Sequence, residues 1–219
     1  MCNGVKLMRH YRLISLSLFL LSLLFALVPL NLWALDSGGP RQQLEVSISQ
    51  LLEVLRDKSL KGDEKQVLRH QRIADVVFLQ FNMRRMSMLS LGRDWRSLSE
   101  AERTHFTELF QKLLKKSYVS TIDAYADEKI AYRKEIIKGD KAEVRTMLIS
   151  VSRKIETPIN YKLKKRGERW LVYDVIIENV SLVRNFRSQF APLMKKKGFS
   201  ELIAQMEKKV VQTGKKEDG

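Results

Sequence analysis

Residues Trp170–Ile177, WLVYDVII, form an apolar run interrupted by a single charge, Asp174. A strand with one face in water alternates polar and apolar residues, so this one must be covered on both faces. A turn, Arg166-Gly167-Glu168, precedes it, and Asn179 and Ser181 punctuate the chain after it. Leu182, Val183, Phe186 and Phe190 then recur at helical spacing, with Arg184 and Arg187 between them. The chain must therefore supply packing layers for both sides of a sheet.

Helical patterns fill the first half. Leu44, Ile48, Leu51, Leu52 and Leu55 share a face, and Lys61-Gly62-Asp63 closes that segment. A second helical region runs from Val67 to Phe81, and a methionine-rich one from Met83 to Leu91, stopped by Gly92. Ser99 with Glu102 forms a capping box for a helix carrying Phe106, Leu109, Phe110, Leu113, Leu114 and Tyr118 on one side. After Tyr125 the period changes to two. Ile130, Tyr132, Lys134 and Ile136 alternate with Ala131, Arg133 and Glu135, and Gly139-Asp140 turns into Lys141–Ser150. Pro158–Lys164 alternates likewise before the apolar strand. Ser200–Val211 reads as a last helix, and residues 212–219 as a charged disordered tail. Helices, an antiparallel meander of about four strands, then helices make an α+β fold in one domain, residues 44–211.

The N-terminus carries an export pattern over residues 1–34. Lys6, Arg9 and Arg12 precede the apolar core Leu13–Val28, Pro29 breaks it, and Ala34 is a small residue for cleavage. An uncleaved anchor is the alternative, since apolar character continues to Leu35. Residues 35–43, with Ser37-Gly38-Gly39-Pro40, read as a linker. The one cysteine, Cys2, lies ahead of the apolar core, which leaves the exported body without disulfides, a thiol nucleophile or thiolate metal sites. Net charge is +15, and roughly +12 without the leader. That balance favours anionic partners; export argues against nucleic acid and for lipid head groups or acidic proteins.

The block W-L-V-Y-D-V-I-I-E-N-V-S-L-V-R-N-F-R-S-Q-F, Trp170–Phe190, resembles the signature of the MlaC/toluene-tolerance family of periplasmic lipid carriers. Phe81-Asn82-Met83-Arg84-Arg85-Met86 with Leu91-Gly92-Arg93-Asp94-Trp95 is similar to another family stretch, as are Ser99–Tyr118 and Asn160-Tyr161-Lys162-Leu163. Asn82 departs from the family's Asp, and Asn179 from its usual Gly, a change the left-handed tolerance of Asn softens. The resemblance implies an NTF2-like cone with an internal apolar pocket and no cofactor. It implies a phospholipid ligand, and as partners the MCE-domain component of an inner-membrane ABC transporter and an outer-membrane lipoprotein complex. A hopanoid or other apolar lipid is the alternative cargo.

On this reading Met147, Ile149, Tyr161, Val172, Asp174, Val175 and Ile177 are the pocket residues. Asp174 has two readings. It is either held by an ion pair or hydrogen bonds, with Arg187 a candidate partner, or it is half of an acid/base pair in an NTF2-like enzyme acting on a small apolar substrate. His70 and His105 have no metal partner at helical spacing, and no nucleophile elbow or phosphate loop occurs. Asp123, Asp127 and Glu128 read as a solvated helix end. The methionines suit either a variable pocket or ordinary packing. Lys164, Lys165 and Arg166 in a turn, and Lys195, Lys196 and Lys197 between two helices, are candidate docking surfaces for an acidic partner or transient membrane contact.

Overall fold

A computed structural model describes residues 38–124, 128–150 and 152–214; the leader, Asp127 and residues 215–219 lie outside them. Among the described residues four α-helices come first: α1 (Pro40–Arg56), α2 (Gln66–Gln80), α3 (Met83–Leu91) and α4 (Glu100–Asp123). Strands β1 (Lys129–Lys138), β2 (Lys141–Ser150), β3 (Ile155–Arg166), β4 (Arg169–Ile177) and β5 (Val180–Ser181) follow. A final helical element, α5, runs Leu182–Gly214. The strands form one antiparallel sheet in the order β1-β2-β3-β4-β5, a meander with a two-residue strand added to the expected four. The α+β architecture is as the residue pattern implied.

Helix boundaries differ where local chemistry extends them. α1 starts inside the expected linker, because Pro40 at the first helical position has its φ already set and no amide to leave unpaired. It stops at Arg56, before the glycine, where Asp57 caps a short 3-10 turn through the Ser59 amide. α5 takes in both the basic start after β5 and the expected last helix. It breaks at Gly198 (φ 82°, ψ −175°), and it continues through residues 212–214, which the pattern gave to the tail. The capping box of α4 is present in full: Ser99 Oγ accepts from the Glu102 amide, and the Glu102 carboxylate accepts from the Ser99 amide at 2.7 Å.

Two bulges decide which side chains face inward. One, between Tyr132 and Lys134, reverses the simple alternation expected for β1. The other lies where Lys162 pairs with Asp174 but Leu163 pairs with Val172, leaving Tyr173 as the extra residue. It puts Val172 and Val175 on the same face despite their odd spacing. β4's outer edge is occupied by groups other than a full strand. The Trp170 amide donates to Gln43 Oε1 (2.8 Å), the Trp170 carbonyl accepts from Gln80 Nε2 (2.8 Å), and the Asn82 amide donates to the Val172 carbonyl (2.7 Å). β5 pairs with the remaining end at Ile176 and Ile177.

Between β4 and β5, Glu178 (φ 49°) and Asn179 (φ 68°) both adopt left-handed backbone, the geometry of a two-residue type I′ hairpin. Asn at the second place meets that demand where glycine would be usual. Gly92 serves a tighter need. Its φ is 64°, and a side-chain carbon there would lie 2.8 Å from the Arg187 guanidinium that packs against it.

Candidate functional site

The inner face of the sheet, helices α1 and α2 and the C-terminal end of α4 enclose a cavity of about 300 Å³. None of the side chains lining it carries a charge. α1 contributes Leu44, Ile48, Leu51, Leu52 and Leu55, all from the predicted apolar stripe, and α2 contributes Val77 and Phe78. From the sheet come Ile130, Leu148, Thr157, Ile159, Tyr161, Val172, Val175 and Ile177. The polar members are few, and some already have protein partners. Ser47 Oγ donates to Gln80 Oε1 at 3.0 Å, and Gln80 is itself bound to β4. Ile177, 41 % exposed, and the exposed Thr121 mark the mouth, at the end of the sheet where β3 begins and β4 ends.

Four of the seven residues expected in the pocket line this cavity: Tyr161, Val172, Val175 and Ile177. Burial pushes the Tyr161 phenol up to about 12, because desolvation disfavours the phenolate. Met147, Ile149 and Asp174 do not line it. In β2 the inward row is Ala142, Val144, Thr146 and Leu148, so Met147 and Ile149 point to the other side with Glu143 and Arg145. That parity was available in the sequence, because charged Glu143 and Arg145 mark the outer row and the same period carries it to Met147 and Ile149.

Asp174 is turned away from the cavity and serves the start of α5. Its Oδ2 accepts from Ser181 Oγ (2.7 Å) and its Oδ1 from the Val183 amide (3.1 Å), while Ser181 Oγ accepts from the Arg184 amide (3.1 Å). A buried carboxylate at a helix N-terminus has its charge balanced by amide dipoles. The structural reading of Asp174 therefore holds, with Ser181 and backbone as partners in place of Arg187. The acid/base reading loses its only residue in the cavity.

The acidic group near the sheet's start is also structural. Glu128 is buried and accepts from Arg153 Nη2 at 2.6 Å; it is not a solvated helix end. Asp123 receives Arg69 Nε at 2.6 Å, and His70 Nε2 lies 3.4 Å from it. Arg69, which is buried, also donates to the carbonyls of Val54 (3.3 Å) and Leu55 (2.8 Å). One guanidinium thus ties the ends of α1 and α4 to the start of α2 beside the cavity, a role that a lone arginine in a helical pattern does not announce. Among the described residues no group of three His, Cys, Asp or Glu could hold a metal ion, and no helix is long and apolar enough to cross a membrane.

Of the candidate docking residues, Lys164 is paired with Asp140 at 2.6 Å, Lys165 lies 3.9 Å from Glu168, and Lys197 lies 3.5 Å from Glu201. Arg166, Lys195 and Lys196 are exposed. Lys195, Lys196 and Lys197 form the last turn of the first helical stretch of α5, directly before the non-helical Gly198 that separates it from the second. Lys164, Lys165 and Arg166 are the last residues of β3, ahead of the Gly167-Glu168 turn and not within it, at the end of the sheet opposite the cavity mouth.

A family-level profile described as MlaC protein matches residues 45–208. The chain belongs to the MlaC protein family. It is 25 % identical over 126 residues to the intermembrane phospholipid transport system binding protein MlaC of Haemophilus influenzae, a match covering 56 % of this chain and 59 % of that relative's length. It is also similar in fold to a phospholipid-binding protein from Ralstonia solanacearum solved in complex with a phospholipid. The TM-score is 0.73 at 18 % identity, covering 81 % of this chain and 99 % of that one. This MlaC-family chain therefore shares its fold with a protein whose structure contains a phospholipid.

Proposed function

We propose that this chain is a periplasmic carrier that binds a glycerophospholipid by its acyl tails and passes it between outer- and inner-membrane complexes. The observation that carries this reading is the charge-free cavity between sheet and helices. Each methylene moved from membrane to water costs about 0.8 kcal/mol, so a soluble carrier must replace lipid with an apolar interior. A lining of branched aliphatic side chains does so, and the head group is left at the mouth beside Ile177 and Thr121.

Export through residues 1–34 would deliver the body to the periplasm, and membership of the family supports the MCE-domain transporter component and the outer-membrane lipoprotein complex as partners. Arg166, Lys195 and Lys196 offer exposed cations to an acidic docking face. No step of this role requires bond chemistry, so the chain acts as a binding protein and not as an enzyme.

Mass spectrometry of lipid extracted from the purified protein tests the reading, with stoichiometric phospholipid as the expected result. A Val175→Glu variant that keeps its circular dichroism spectrum should lose that lipid. Wild-type protein that is reproducibly lipid-free, and takes up none from vesicles, overturns the proposal.

A further inference from the structure

We propose that Tyr161 is the depth stop of the cavity and sets the length of acyl tail that the protein accepts; this rests on the carrier reading above. The void occupies only half of the sheet's inner face. On β3, Thr157, Ile159 and Tyr161 line it, while the next inward residue, Leu163, is fully buried and outside it. On β4, Val172 lines it and Trp170 does not. On β2 the lining ends at Leu148, with Thr146 and Val144 buried beyond. The boundary runs obliquely across the sheet, from Leu148 on β2 through Tyr161 on β3 to Val172 on β4, and Tyr161 stands on it with fully buried Val144 as its β2 partner and fully buried Leu163 as the next inward residue of its own strand.

The floor is held from the helix side as well. The single hydroxyl hydrogen of Ser47 is shared between Gln80 Oε1 (3.0 Å) and the Gln43 carbonyl (3.1 Å), and Gln80 and Gln43 are both bound to Trp170. Those polar groups are committed to one another, so the floor resists being pushed inward by a longer tail.

Two independent measures give the depth. From Thr157 to Tyr161 the strand advances ~14 Å at ~3.4 Å per residue. Along α1 from Leu44 to Leu55 the helix rises ~16 Å at ~1.5 Å per residue. An extended covalent chain advances ~1.2 Å per bond, so the cavity takes about twelve bonds of a straight tail. Longer tails leave methylenes at the mouth, and each uncovered one should lower relative uptake by roughly two- to fourfold.

The test uses mixed phosphatidylglycerol vesicles with tails from about 12 to about 18 carbons, which bracket the ~1.2 Å-per-bond depth. Lipid bound by the full chain is read by mass spectrometry. Wild type should favour the shorter tails. Tyr161→Ala should move the bound distribution toward longer tails by roughly two to four carbons at ~1.2 Å per bond. Ile159→Phe, which puts a ring one row nearer the mouth, should move it the other way and gives a reading even where the alanine variant fails to fold. Equal uptake of all lengths by wild type, or unchanged distributions in folded variants, overturns the depth stop while leaving the carrier reading intact. Wild type that binds none of these lipids overturns both.

Discussion

The molecule has two apolar halves of opposite character. In one, helices α3, α4 and α5 close on a solid core in which Phe106, Phe110, Phe186 and Phe190 approach with ring centroids 5.0 to 6.0 Å apart. In the other, α1, α2 and the sheet's inner face meet through Leu, Ile and Val around a void. Rings interlock edge to face and fill space between helices that can slide together. Branched aliphatics on a bulged sheet and two pinned helices cannot close the remaining gap. Hydrophobicity is common to both halves; shape and freedom to approach decide which becomes solid.

The strongest way to break this comparison is a matched pair of truncations in protein freed of lipid. Phe110→Ala, at a fully buried site touching three other rings, should cost about 3–5 kcal/mol in urea unfolding. Leu52→Ala, in a wall that already faces the cavity, should cost nearer ~2 kcal/mol, because less packing is lost. Equal losses would show that the two halves are packed alike.

Asp174 sharpens the boundary between them. Asp174→Ala removes the acceptor for the Val183 amide and for Ser181 Oγ, so stability should fall by about 1–2 kcal/mol while bound lipid is retained. Loss of lipid from a folded variant would return this carboxylate to the cavity.

The smallest effect concerns acid. The Ser99 amide and hydroxyl hold the Glu102 carboxyl below its ordinary value of 4.5, and Arg84 does the same for Glu100. A carboxyl depressed in the folded state adds stability above its unfolded pKa, and that contribution is lost as pH falls from about 4.5 through the folded value. Glu102→Gln should therefore flatten the acid limb of the melting temperature and leave lipid content unchanged. An unaltered acid limb would remove Glu102 from the account.

How much of this could be read from residues alone follows the same division. The doubly covered β4, the turns of the meander and the apolar stripe on α1 each have a period that names them. The bulge at Tyr173 has none, yet it alone brings Val172 and Val175 to one face. The stripe Leu44–Leu55 shows which side of α1 is buried, but a stripe facing a void and one facing a solid wall are spelled the same way. At Asp174 chemistry limited the choice to a partner or a wet site. The partners, Ser181 and the Val183 amide, became visible only when the I′ turn folded the start of α5 back beside the strand.

The dressing of β4 by Gln43, Gln80 and Asn82 bears on how copies of the protein treat one another. A bare strand margin is a template for another chain's backbone and a route to aggregation. Here two side-chain amides and one main-chain amide occupy the donors and acceptors that a stranger would use. At the far margin, Arg133, Lys134, Glu135 and Lys138 crowd β1 with charge, so neither side of the meander invites another to extend it. Both margins of the sheet thus discourage edge-to-edge pairing between two copies of the chain.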